Sequence, residues 1–154
     1  MSYDLMVFNE IRAPREKKDF LHWYYEQTEW KEGHDYQNPD ITTPELRNWF
    51  LDIIKKYPPM NGPYTIDNVD DIKLTDYSIG KDIIYAAFAW QEAEEAFKLC
   101  FELAKKHKVG FFDVSSDEGK IWIHDDNGNF ICIDDKKPWW KFWELSSLIF
   151  IRGC

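Results

Sequence analysis

Residues 24–36 read YYEQTEWKEGHDY and set one histidine among four carboxylates and four tyrosine or tryptophan rings. Within that stretch Glu29, Glu32, His34 and Asp35 offer one nitrogen and three carboxylates, a donor set compatible with Zn²⁺, Mn²⁺ or Fe²⁺. No HExxH pair and no second nearby histidine accompany them, so no metal is assigned. His34 is expected instead to be a hydrogen-bonding residue where a helix end turns at Gly33, and Glu29, Glu32 and Asp35, with Trp30, His34 and Tyr36, are expected to meet and guide a partner.

A second candidate chemistry rests on carboxylates inside apolar runs. Asp4 lies in YDLMVFN and Asp113 in VGFFDVS. A buried carboxylate must find donors or take up a proton more readily. If the two strands are neighbours, Asp4 and Asp113 could share a site with Tyr77 or His34, and paired carboxylates do acid–base work. The alternative is that each carboxylate caps nearby loop amides. Ser78, in TDYSIGKD, lacks the GxSxG context of an activated nucleophile, and Gly80-Lys81 lacks the rest of a phosphate-binding loop. No motif implies a cofactor.

Other positions suit a binding rim. PPMNGP is a stiff turn in which Gly62 is free to take positive φ, so Met60 and Asn61 would be presented at little entropic cost. Its plainer reading is a helix-terminating turn. Asp76 and Tyr77 sit at the end of a strand beside a turn. Among the other histidines, His22 is expected to face solvent, His107 to complement a helix C-terminus and His124 to be a half-buried spacer.

The elements that would hold these groups follow from periodicity. YDLMVFN alternates with both faces largely apolar, which predicts an interior strand. Pro14 predicts the first turn of a helix running to Trp30, with Phe20, Leu21 and Tyr24 along its stripe. Thr43-Pro44-Glu45 opens a second helix, buried through Leu46, Trp49, Phe50, Ile53, Ile54 and Tyr57, and Pro58-Pro59 stops it. TDYSI and DIIYAAFAW predict two strands about a turn at Gly80-Lys81, and the small alanines predict a helix packed closely over them. A third helix carries Ala96, Phe97, Cys100 and Ala104 inward; VGFFDVS follows as a strand. KIWIHDDNGNFICID predicts a hairpin with Asn127-Gly128 as a type I′ turn, pairing Trp122 with Ile133, Ile123 with Cys132 and His124 with Ile131. The expected fold is α+β: one domain over 1–154, a mainly antiparallel sheet with helices on one face, and a ferredoxin-like βαββαβ core with an extra helix and a C-terminal hairpin. The aromatic 137–154 tail is expected to dock on it.

Composition narrows the function. The chain has 154 residues and a formal charge of −9, which repels phosphate backbones and excludes nucleic acid as an expected partner. The same charge would steer a basic protein inward. Three unpatterned cysteines point to a reducing compartment. With an early Asp and no basic n-region, no signal peptide is expected, and no apolar run approaches the ~20 residues of a membrane span. A cytoplasmic protein without membrane contact is expected.

The strings SYDLMVF, FLHWYYEQTEW, TPELRNWF, PPMNGP, DYSIG and VGFFDVSS together resemble a group of small, uncharacterised bacterial proteins across residues 2–122. The tail KKPWWKFW is similar to tails on small bacterial proteins of the toxin-immunity kind. The resemblance implies a cytosolic bacterial protein of a toxin-neutralising kind, and with the acidic charge the expectation is an immunity-type inhibitor of a basic toxin domain. The competing expectation is a small hydrolase or metal-dependent enzyme using His34 with Asp4, Asp113 or Glu29.

Overall fold

The computed structural model describes residues 1–133, so the expectations for the 137–154 tail lie outside the described residues. The chain forms β1 (Ser2–Phe8), α1 (Lys17–Gln27), α2 (Pro44–Ile53), β2 (Asp76–Ile79), β3 (Ile83–Ala89), α3 (Ala93–His107), β4 (Gly110–Phe112), β5 (Ile121–His124) and β6 (Phe130–Ile133). The strands make one sheet in the order β2-β3-β1-β4-β5-β6, with every neighbouring pair antiparallel. The α+β class with an antiparallel sheet is therefore as expected, and β1 is an interior strand. No helix among the described residues is long and apolar enough to cross a membrane.

Period-two alternation sends Tyr3, Leu5 and Val7 of β1 to one face and Met6 and Phe8 to the other. α2 and α3 cover the first face through Leu46, Trp49, Phe50, Ala96, Cys100 and Ala104. α1 covers the second, where Phe20 packs among Met6, Phe8, Phe112, Ile121 and Ile123. The expectation that the helices share one face is corrected. Both faces of β1 are apolar, and each needs its own layer to exclude water.

Local chemistry sets most boundaries. The Thr43 hydroxyl accepts the Leu46 N–H at 3.2 Å and caps α2. The Trp49 indole N–H donates to the Cys100 carbonyl at 3.2 Å and ties α2 to α3. At the far ends of those helices Asp52 accepts from Lys55, Lys106 and His107. α1 starts later than Pro14, because Arg12 and Ala13 fold their N–H groups back onto the Asn9 carbonyl and extend the turn after β1. The β2–β3 hairpin turns one residue beyond the expected Gly80-Lys81, since the Gly80 N–H already pairs with the Ile83 carbonyl.

The β5–β6 register also differs from expectation. Trp122 pairs with Cys132, Ile123 with Ile131 and His124 with Phe130. The Asp125 carboxylate accepts from the Asn127 and Asn129 amides, and only Gly128 takes positive φ, at 81°. That is a three-residue loop with a left-handed glycine, not a two-residue type I′ turn, and the extra residue shifts the pairing by one. At the centre of the sheet Gly110 admits no side chain, for a Cβ there would lie 2.2 Å from Phe8 Cε2.

Candidate functional site

Beyond the Thr28 C-cap of α1, the chain takes a knuckled path. Trp30, Gly33 and Tyr36 all have positive φ, at 56°, 84° and 60°. Left-handed backbone costs a bulky residue about 1–2 kcal/mol, so the surroundings must hold it. The Tyr36 carbonyl accepts the Ile79 N–H at 2.8 Å on the outer edge of β2, and Glu32 accepts the Lys81 N–H at 3.0 Å. His34 Nδ1 accepts the Tyr36 N–H at 3.1 Å, which leaves the ring proton on Nε2 to donate to Glu32 at 2.7 Å. Both nitrogens of His34 are thus engaged in fixing the loop, as the turn reading expected.

The rest of that cluster is equally occupied. Glu29 pairs with exposed Lys31 at 2.7 Å, and Asp35 accepts the Gln37 N–H at 3.0 Å. No group of three His, Cys, Asp or Glu side chains among the described residues has metal-binding geometry. Met60 and Asn61 are exposed on a neighbouring turn, where Gly62 at φ 93° fits against Gln37.

The four candidate catalytic residues do not converge. β1 and β4 are neighbours, as the paired-carboxylate idea required, but Asp4 and Asp113 face opposite sides of the sheet. Continuing the β1–β4 register places Asp113 opposite Leu5, on the α2–α3 face. There the Tyr3 hydroxyl donates to Asp113 at 2.8 Å. Burial pushes the Asp113 carboxyl above its ordinary range, opposed by the Tyr3 hydrogen bond and Lys120. Asp4, on the α1 face, accepts from Tyr85 and Ser2 at 2.6 Å each. The placement of Tyr77 in an exposed rim is corrected: it is buried against Phe50 and Phe88, and its hydroxyl donates to the Tyr57 carbonyl at 2.7 Å. Burial drives its phenol far above the ordinary range.

Two clefts remain. One, of about 320 Å³, opens on the α2–α3 face between Phe97, Trp122 and the β4–β5 loop, with Asp113 and Lys120 in its wall. The other, of about 290 Å³, opens on the α1 face beyond the end of that helix. Its floor is Ala87. Asp76 on β2 and Asp4 on β1 are each directly opposite Ala87, so the three lie in one cross-strand row. Ser78 and Tyr85 form the next row, and Tyr24, Thr28 and Trp30 wall the opening. Trp30 meets Tyr85 edge-on at 6.3 Å and Tyr36 at 5.1 Å. Burial first, then the hydrogen bond to Asp4, holds the Tyr85 phenol protonated far beyond neutral pH.

Of the positions singled out from sequence, Trp30 and Asp76 line this cleft. Tyr24, Ser78, Tyr85 and Ala87 were not assigned to it. The alanines of β3 had predicted a close helix, which holds for Ala86 under α3 but not for Ala87. No family model, curated protein or solved structure matches the chain.

Proposed function

We propose that the protein is a small acidic binding module for a basic protein partner, cytoplasmic and of the toxin-immunity kind. The observation that carries this reading is the fate of the chemistry-bearing residues. His34, Asp4, Asp113 and Tyr77 are held apart by the sheet, whereas Trp30 and Asp76 meet in an open cleft on a chain of charge −9. Aromatic anchors supply interface energy, and excess acid steers a basic partner.

A second reading, a small hydrolase, draws on Asp113 alone. Its carboxyl is raised by burial and lines a cleft, as a general acid would. His34, with both nitrogens engaged, lends that reading no support.

Reconstitution tests the proposal. A basic protein cross-linked to this chain in its native cell is purified and mixed with the purified chain. The binding reading expects a stoichiometric complex whose association slows about tenfold or more from low to physiological salt. A chain that forms no complex, yet hydrolyses model esters with turnover lost in Asp113→Asn, would replace it with the enzyme reading.

A further inference from the structure

The α1-face cleft has a definite charge character. Asp76 is exposed, and its carboxylate has no hydrogen-bond or ion-pair partner among the described residues. The Ser78 hydroxyl is likewise unengaged. No lysine, arginine or histidine stands among the described residues that line the cleft. Adjacent strands lie about 4.8 Å apart, so a group seated over Ala87 is roughly one strand spacing from the Asp4 row position and one from that of Asp76. Both oxygens of Asp4 already accept a hydroxyl, and its carboxylate lies beside the floor in the same cross-strand row. The indole and phenol rings of Trp30, Tyr24 and Tyr85 close the sides, and ring faces attract a cation within about 6 Å. An anion would meet only like charge here, and a neutral group would leave Asp76 unpaired. At about 290 Å³ the space suits one side chain and is small for a nucleotide.

We propose that this notch binds an alkylammonium or guanidinium group, brought by a lysine or arginine side chain of the basic partner. The inference rests on the binding reading above and names the chemistry of its contact. Ala87 supplies the space, Asp76 and Asp4 the charge, and the rings the enclosure. Trp30 reaches the wall of the notch from a loop in which its own backbone has positive φ.

The test is a heteronuclear NMR titration of the full chain at constant ionic strength, with n-butylammonium, n-butanol and butyrate as probes. The Trp30 indole N–H signal is assigned by its loss in Trp30→Phe. Butylammonium is expected to shift that signal saturably at about millimolar affinity, with no saturable shift from butanol or butyrate. Asp76→Asn is expected to weaken binding about tenfold, and Asp76→Glu to restore most of it. Ala87→Leu fills the floor and is expected to abolish binding while leaving the remaining amide signals dispersed. An equal response to butanol, or cation binding indifferent to both Asp76→Asn and Ala87→Leu, overturns the inference.

A short acetylated, amidated peptide with one central lysine separates the sources. Tighter binding of the peptide than of butylammonium supports a partner's side chain, and tighter binding of the free amine overturns that source. If the notch takes no cation while the reconstituted partner complex persists, this inference fails and the binding reading stands. If the notch takes cations but Asp76→Asn leaves the partner complex unchanged, the partner's side chain is overturned as the occupant.

Discussion

The two clefts lie on opposite faces of one sheet, and each is lined by one member of a tyrosine–aspartate hydrogen bond, Asp113 in one and Tyr85 in the other. Consecutive residues of β1 supply one member of each pair: Tyr3 donates to Asp113 on the α2–α3 face, and Asp4 accepts from Tyr85 on the α1 face. The volumes are similar, about 320 and 290 Å³. The charge is handled differently. The α2–α3 cleft contains Lys120, which pairs with Glu118 at 3.4 Å and lies close enough to Asp113 to oppose its upward shift. The α1 cleft contains no cation among its described lining, and Asp76 stands unpaired. A carboxylate is available to an outside cation only where the protein has not supplied one itself. The α1 cleft therefore offers an incoming cation no resident competitor, whereas in the other Lys120 already stands among Asp113, Asp117 and Glu118.

The largest test of this picture concerns the layer that carries the α1 cleft. Gly110→Ala would force Phe8 out of its place against Phe20 and Trp23, which α1 contributes. A loss of about 3 kcal/mol is expected in urea unfolding. A loss under about 1 kcal/mol would mean that Phe8 turns aside freely and that α1 is not fixed by this contact.

Removing the two tyrosine hydroxyls in turn sharpens the comparison. Tyr3→Phe strips a donor from Asp113, which is 9% exposed, and is expected to cost about 2 kcal/mol. Tyr85→Phe leaves Asp4 half-buried with its Ser2 bond, and about 1 kcal/mol or less is expected. Equal losses would erase the difference in burial on which the contrast depends. Tyr57, fully buried, has a hydroxyl with no partner among the described residues, and burial first, with Glu95 and Cys100 adding, pushes its phenol up to about 12. Tyr57→Phe is therefore expected to be neutral or stabilising by up to about 1 kcal/mol, and a loss above that would reveal a partner for the hydroxyl.

Acid titration gives a smaller and signed effect. The folded state raises the Asp113 carboxyl above the ordinary value of about 3.9, so it holds that proton more tightly than the unfolded chain. The stability this contributes is present below about 3.9 and lost as pH rises through the folded value. Asp113→Asn is expected to gain on the wild type over that rise. Asp52 runs the other way. His107 foremost, then Lys106 and Lys55, hold it well below the ordinary range, so its contribution is present above about 3.9 and lost as pH falls. Asp52→Asn should cost about 1 kcal/mol near neutral pH and little in acid. Urea unfolding of both variants across mildly acidic pH reads the opposite slopes; slopes of one sign would refute the assignment.

How much was legible in the sequence depends on the range of the interaction. α2 was clear because its signals are local: Thr43 caps, Pro44 opens and Leu46, Trp49, Phe50 and Ile53 repeat on one face. The β5–β6 register was misjudged because Asn127-Gly128 suggested a two-residue turn, while the Asp125 side chain captures two loop amides and lengthens it. The Asp4–Asp113 idea failed on parity. Strand adjacency could be guessed, but which face each residue takes depends on a register set by tertiary packing. The cleft was half legible for the same reason. Trp30 and Asp76 stood out by type, whereas Ala87 gains its meaning only when β1 and β2 place an aspartate on either side of it.

The most direct measurement of the central claim is a residue-by-residue NMR map of the full chain with saturating n-butylammonium at physiological salt. The account predicts shifts concentrated at Trp30, Ser78, Tyr85 and Ala87, with Phe97, Lys120 and Trp122 unmoved. Shifts centred on Lys120 and Trp122, or spread evenly over the acidic surface, would contradict it.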